Sequence, residues 1–495
     1  MDSRRLSTES SSGESSPILS NFNSSTSLIL VHDDDEPSSP FDVPDEDGEV
    51  PESPEFEIRR PFSPPMAPSL VFLYLLSPYL KLGALFLPNT QLPLKYGIPP
   101  LIIFAVLSAF SRQIWYMLAR YMRKADLEDI VLDAFARGRG KESQRSWLRT
   151  IVRGGTGMLR VLLSVIYLRE SVHIILPLLP EDLPLPPRPL LTAVFALVLL
   201  PLVTGQSLAS KRIAYATWTS IATYIIWFCC VAVAHANRTL EINPGWLRMG
   251  AFWQGITTTA FAFTSSSTLP LYASLKAGSP AALSKGSATR SFRTLSTLSV
   301  AVAVCFTLPL VFFTAHMDVV ILQDPPPLRL QPIIAVLNSL TLLLAVPSVL
   351  VTTPPLPIPE RVRRATTIPF SKYLTFALVI ALSLVPTRIA RILSDVLIAC
   401  ACASTFFLPA LIHITTHFFK RPLSIIMPQI PATPNPYAQE PLTSAADELL
   451  QRKERALQKH QFRKRVVWDV GVWVLLLPVG GGGFVWGAGR LAGKW

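Results

Sequence analysis

The sequence predicts an all-α membrane protein with about eleven transmembrane helices. Three observations carry that expectation. Half of the 495 residues are hydrophobic, only 16% are charged, and the mean hydropathy is +0.39, whereas a soluble chain carries about 25% charge. The apolar residues come in blocks of about 20, the length needed to cross a hydrocarbon core. Lys and Arg alternate in abundance between successive loops, as a fixed orientation in a membrane requires.

The net charge of +12 conceals a split. Residues 1–65 hold 15 acidic and 4 basic side chains and are rich in Ser and Pro. Such a segment has too little apolar surface to form a core, so it is expected to be a disordered acidic tail. Its Ser-Pro steps at Ser16, Ser39, Ser53 and Ser63 suit phosphorylation, each phosphate adding about two negative charges. An inert solvated tail is the competing reading. No basic start followed by an apolar run and a cleavage site is visible, so no secretory leader is expected. The rest of the chain holds 41 bases against 18 acids. In a membrane body that excess marks cytoplasmic loops beside anionic lipid, and it points to the bilayer and not to nucleic acid as partner.

Hydropathy places spans near 68–92, 97–121, 151–178, 188–207, 213–235, 250–275, 292–314, 331–353, 371–387, 390–414 and 466–488, within a membrane domain covering 66–490. With a cytoplasmic N-terminus the inner loops carry 28 Lys and Arg and the outer segments 9. The glycosylation sequon Asn237-Arg238-Thr239 falls in an expected outer loop. The longest inner loop, 415–465, ends in a charged stretch that reads as a helix on the cytoplasmic face, with Arg463, Lys464 and Arg465 against the headgroups.

Catalytic chemistry finds little support. The five cysteines all lie in apolar runs without metal-finger spacing, so buried thiols are expected and no disulfide framework. His413 and His417 are four apart but lack the neighbouring Glu of a zinc-hydrolase helix. Gly480 to Gly483 lacks the Lys-Ser/Thr of a phosphate cradle and suits close helix packing instead. No catalytic residue, metal or cofactor is expected.

Two spans look broken. The first, SPYLKLGALFLPNTQLPLKYG, carries Lys81, Gly83 and Pro88 inside an apolar stretch. The sixth, FWQGITTTAFAFTSSSTLPLYASLK, is dense in Thr and Ser and interrupted by Pro270. Proline removes an amide and crowds the preceding turn, and glycine tolerates unusual dihedrals. Unwound backbone at membrane depth survives only where protein buries it or a cavity hydrates it. The breaks fall five spans apart. Five is odd, so a second copy of such a unit is inverted in the membrane, and paired inverted units with discontinuous first helices are a transporter plan.

Five stretches, in order, resemble one family. They are KLGALFLP (81–88) with KYG (95–97), DLEDIVLDAFARGRG (126–140), AFAFTSSSTLPLYASLK (260–276), PSVLVTTPPLPIPERV (347–362) and STFFLPALIHI (404–414). Together they resemble the amino acid/auxin permease family, whose first span typically carries Gly-x-Gly-x-x-x-x-Pro. The resemblance implies a LeuT-like fold of two inverted five-helix repeats plus one extra helix. It also implies alternating access and transport of amino acids coupled to protons or sodium. By position it puts the substrate carboxylate at Leu82, Gly83 and Ala84, the amine and side chain at Phe261, Thr264, Ser265 and Ser266, and Tyr167 as a closing ring.

The chain departs from that pattern at Lys81, which stands where the family has its first Gly. A buried ammonium is costly; Lys81 can replace a bound cation, pair with a substrate carboxylate, or snorkel to the inner interface. Glu170 and His173 can relay protons, or Glu170 can form an ion pair with Arg169. Asp395 can serve a proton path or face Arg391. With Lys81, these are the candidates for ion coupling. No sodium-ligand constellation is evident, so the proton is the expected ion.

The function expected is thus secondary active transport of amino acids. A transport-inactive nutrient sensor of the same fold is the alternative, and a membrane-embedded lipid-modifying enzyme a third. Glu14-Ser15-Ser16-Pro17-Ile18-Leu19 fits an acidic dileucine sorting pattern and favours a vacuolar or lysosomal membrane over the plasma membrane.

Overall fold

The computed structural model describes residues 64–90, 92–136, 141–180, 186–205, 207–237, 251–265, 267–278, 285–313, 330–356, 370–416, 466 and 468–491. Backbone contacts divide the chain into Met1–Phe56 and Glu57–Trp495, and every described residue belongs to the second unit. Residues 1–63 of the acidic tail, the sequon residues Arg238 and Thr239, Ser266, His417 and nearly all of the 415–465 loop lie outside the described residues.

Among the described residues all regular structure is helical. Among these residues seven stretches are long and apolar enough to cross a membrane: Pro68–Thr90, Leu94–Tyr121, Glu142–Leu178, Lys211–Ala236, Ser291–Phe312, Gln331–Val351 and Thr387–Ile414. Pro187–Val203 and Phe370–Ser383 are apolar but shorter. Large apolar side chains point outward from these helices, among them Ile102, Val106, Leu197 and Trp218. Water does not tolerate so much contiguous apolar surface, and lipid does. The protein is membrane-embedded.

The first span is the most enclosed: 83% of its apolar window is covered by protein, against 39% for Lys211–Ala236. It is also discontinuous. Helix α1 (Pro68–Leu76) runs into a 3-10 turn at Ser77–Leu80, the backbone leaves the helix at Lys81 (φ −119°, ψ −144°), and α2 (Leu82–Phe86) follows before a second 3-10 turn, Leu87–Thr90. The sequence points to Gly83 and Pro88 as the disruption. The chain turns earlier, because Pro78 withholds an amide from the last turn of α1 and tightens it.

Helix α3 (Leu94–Tyr121) returns across the bundle, and the short amphipathic α4 (Leu127–Phe135) follows. Asp126 caps α4 by accepting from the Glu128 amide at 3.3 Å, and Glu128 and Asp129 sit in its first turn, where the helix dipole favours acids. Helix α5 (Glu142–Ile175) has 34 residues, about 50 Å at 1.5 Å per residue, so its polar first turns extend past the hydrocarbon. Helices α6 (Pro187–Val203) and α7 (Lys211–Ala236) complete the first half.

The sixth expected span is two helices, α8 (Ala251–Ala262) and α9 (Thr268–Gly278), separated at 263–267. Pro270 does not cause this break. It stands in the first turn of α9, where its missing amide costs nothing. The break falls in the Thr/Ser run ahead of it, where α8 ends in i to i+3 bonds: the Phe263 amide donates to the Ala260 carbonyl at 3.3 Å, and the Thr264 amide and Oγ1 both donate to the Phe261 carbonyl, at 3.1 and 2.8 Å. Then come α10 (Lys285–Phe312), α11 (Gln331–Leu343), α12 (Val346–Val351), α13 (Phe370–Ser383) and α14 (Thr387–Cys402). A π-helical turn at Ala403–Phe407 leads into α15 (Leu408–Ile414), and another at Gly471–Leu476 leads into α16 (Leu477–Leu491).

Buried hydroxyls tie the helices together. Ser171 of α5 and Ser339 of α11 donate to each other's carbonyls at 3.1 and 3.0 Å. Ser220 of α7 donates to the Thr341 carbonyl of α11 at 2.9 Å. Such bonds contribute about 0.6 kcal/mol each in lipid.

The glycine run in α16 packs closely on one side. A Cβ on Gly480 would lie 2.6 Å from the backbone nitrogen of Phe407, whereas Gly481 and Gly482 face open space. Gly480→Ala is therefore expected to lower the thermal midpoint in detergent, at an overpacking cost of about 1–3 kcal/mol. Gly482→Ala should leave it unchanged or raise it. Equal midpoints for the two would contradict the packing.

Candidate functional site

The two breaks meet. A Cβ built on Gly83, one residue into α2, would overlap the nitrogen, Cα and Cβ of Ala262, the last residue of α8. Beside this contact lies a cavity of about 80 Å³, room for several waters or the polar head of a small solute. Its wall includes Lys81, Leu82 and Gly83 from the first break and Phe261, Thr264, Ser265 and Ser267 from the second. Leu159, Arg160, Leu163 and Tyr167 supply one face of α5, and Thr352, Ser404 and Thr405 add hydroxyls.

Lys81 is only 4% exposed, and its Nζ stands 5.8 Å from the centre of the Tyr167 ring. That distance is within reach of a cation–π attraction. Among the described residues, no hydrogen-bond acceptor or carboxylate engages the ammonium. Lys81 therefore does not snorkel. It lies in the cavity wall.

Of the expected binding residues, Leu82, Gly83, Tyr167, Phe261, Thr264 and Ser265 line this cavity. Ala84 is fully buried behind the wall, and Ser266 lies outside the described residues. Of the four ionisable candidates only Lys81 lines it. Glu170 and His173 stand beyond Tyr167 on α5, and Asp395 is buried on α14. Arg169 and Glu170 form no ion pair within 4 Å among the described residues. Arg169 instead donates to the Val385 carbonyl at 2.8 Å, and Arg188 donates to the same oxygen at 3.3 Å. At the far end of the tenth span, buried His413 lies 3.7 Å from Asp469 ahead of α16. Among the described residues no group of three potential metal ligands forms.

A second buried cation organises the breaks. Arg112 of α3 is 1% exposed. One of its terminal nitrogens donates to the Leu75 carbonyl at 2.8 Å and to Ser265 Oγ at 3.0 Å; the other donates to Ser299 Oγ of α10 at 2.9 Å. Its guanidinium carbon lies 4.4 Å from the centre of the Tyr79 ring. No carboxylate accompanies it among the described residues. The charge sits instead at the carboxyl end of α1, where the helix dipole is negative and carbonyls lack amide partners. Ser108 and Ser111 share this face of α3. Ser108 hydrogen-bonds the Tyr79 hydroxyl at 2.7 Å, and Ser111 donates to the Thr405 carbonyl in the π-turn. The Thr405 hydroxyl accepts the Ser265 amide at 3.1 Å. One face of α3 thus fixes the first break, the second break and the π-turn together.

Arg112, Arg160 and Thr405 are not among the candidates that motif reading supplies. The signal for the two arginines is present nonetheless. Of the 41 bases beyond residue 65, four lie more than three positions inside an expected span: Lys81, Arg112, Arg160 and Arg169. Ionisable groups at that depth are costly and mark function by default.

Compared with known protein families and with curated proteins, the chain matches none.

Proposed function

We propose that the protein is a secondary active transporter that moves amino acids across a membrane by alternating access, coupled to protons. The observation that carries the reading is the meeting of two interrupted helices beside a cavity whose largely apolar wall carries hydroxyls and two basic side chains. Counting the two shorter apolar helices, the α8–α9 pair and the last helix as spans gives eleven, with the interruptions in the first and sixth. That order supports the LeuT-like plan of two inverted five-helix repeats plus one helix, and with it membership of the amino acid/auxin permease family. Lys81 is the ionisable candidate within reach of a solute, and we assign proton coupling to it. The distribution of Lys and Arg favours a cytoplasmic N-terminus, and the acidic dileucine pattern a vacuolar or lysosomal membrane.

The test is uptake of labelled amino acids into proteoliposomes under an imposed proton gradient. Thr264→Trp, which places an indole in the cavity, is expected to reduce uptake to background while the protein elutes as a single folded species. Undiminished uptake in that variant would sink the site. A gradient of sodium alone should not drive uptake.

One observation favours a second reading, the transport-inactive sensor. Arg112 bonds both interrupted helices to α10, and such a clamp resists rocking. A sensor binds amino acids in detergent without carrying any label into vesicles.

A further inference from the structure

The charge of the cavity wall says more about the solute. We infer that it is an amino acid with an acidic side chain, held between Lys81 and Arg160. This rests on the reading of the cavity as a transport site.

Two basic side chains line the cavity, and no acidic one does among the described residues. Lys81 is deeply buried, and nothing described accepts a hydrogen bond from its ammonium. Arg160 is half-buried on the same face of α5 as Leu163 and Tyr167, because positions three to four apart stack on a helix. Its guanidinium also has no hydrogen-bond acceptor among the described residues. The one carboxylate whose field reaches it belongs to Asp126. Asp126 stands beyond ion-pair distance and accepts the α4 cap bond. Two cations in a low-dielectric wall without fixed counter-ions repel each other and are poorly solvated. A solute that brings two carboxylates relieves both.

The geometry fits such a solute. Arg160 and Tyr167 are seven residues apart, about 10 Å along α5. Lys81 projects to the Tyr167 end and Arg160 lies at the other. The cavity of about 80 Å³ takes one carboxylate head as it stands, so a whole four- or five-carbon dicarboxylic amino acid enters only as the wall opens, the movement that alternating access requires. Arginine offers a planar fork that matches a carboxylate in two bonds, and lysine a single point charge. The solute's ammonium finds a hydroxyl oxygen at Thr264, whose proton goes to the Phe261 carbonyl, on the wall away from α5. A basic amino acid would add a third positive charge, and a neutral one would leave Arg160 uncompensated.

The experiment is uptake by the full-length protein in proteoliposomes, with glutamate, glutamine, lysine and succinate compared at low concentration. Glutamate is expected to enter at least about tenfold faster than glutamine, because a site built for a charged group rejects the analogue lacking it. Lysine should not enter. Arg160→Gln should reverse the preference between glutamate and glutamine, whereas Arg160→Lys should keep glutamate preferred with a raised KM. Wild-type preference for glutamine or lysine overturns the acidic side chain and leaves amino acid transport standing. Succinate entry without glutamate entry overturns both readings. If none of the four enters, transport falls, and glutamate binding to the detergent-purified protein decides the inference: binding lost in Arg160→Gln upholds it, and no binding overturns it.

Discussion

Arg112→Met is expected to lower the stability of the purified protein by about 1–3 kcal/mol, the cost of leaving a buried polar group without its partner. The change removes charge but keeps much of the volume, so cavity formation adds little. What is lost is a set of bonds. The Leu75 carbonyl at the end of α1 loses its 2.8 Å donor, and the Ser265 and Ser299 hydroxyls lose theirs. A carbonyl left without a donor in a water-free interior pays its full desolvation cost. Helix α1 has only nine residues, so losing its carboxyl-end partner affects a large part of it.

Arg112→Lys separates charge from shape. An ammonium can remain near the Leu75 carbonyl and the Tyr79 ring, but it cannot span Ser265 and Ser299 with a flat fork. Stability should recover in part, while solute uptake stays well below wild type because the second break is no longer held to the first. Thermal unfolding in detergent and uptake in vesicles measure the two separately. If Arg112→Met melts and transports like wild type, the guanidinium does not organise the breaks.

How legible this arrangement is in the sequence depends on range. The spans are visible because each is a contiguous apolar block, and membrane burial is a local property of such a block. The shorter Pro187–Val203 and Phe370–Ser383 show the limit: their expected spans ran to 207 and 387, but the helices end at Val203 and Ser383. The breaks are visible as regions and misread in detail. Pro270 reads as a helix breaker, yet at the third position of α9 it helps a helix begin. Gly83 reads as a flexible point, yet it lies inside α2, and its lack of a side chain serves the approach of Ala262, 179 positions along the chain. No local pattern encodes that approach. The Arg112 network is equally non-local, joining residues 75, 112, 265 and 299. Only the improbability of an arginine inside an apolar span announces it.

Gly83→Ala tests the central contact with a single methyl group. The added carbon would meet the main chain of Ala262, which cannot rotate aside as a side-chain tip can. Either α2 and α8 move apart or the strain stays, and overpacking of this kind costs about 1–3 kcal/mol even where neighbours can adjust. The expected result is a lower thermal midpoint and uptake at background. Gly97→Ala is the control. There the nearest atom is a methyl carbon of Val311 at 2.6 Å, and a change of rotamer can relieve that clash. Its loss of stability should be the smaller of the two, with uptake largely kept. Adding Ala262→Gly to Gly83→Ala removes one of the three overlapping atoms but leaves the nitrogen and Cα, so rescue should be partial. Full rescue would mean that the clash was with the Ala262 side chain alone. No loss at all in Gly83→Ala would mean that the two interrupted helices do not need this close approach to function, and the proposed solute site would lose the contact that defines it.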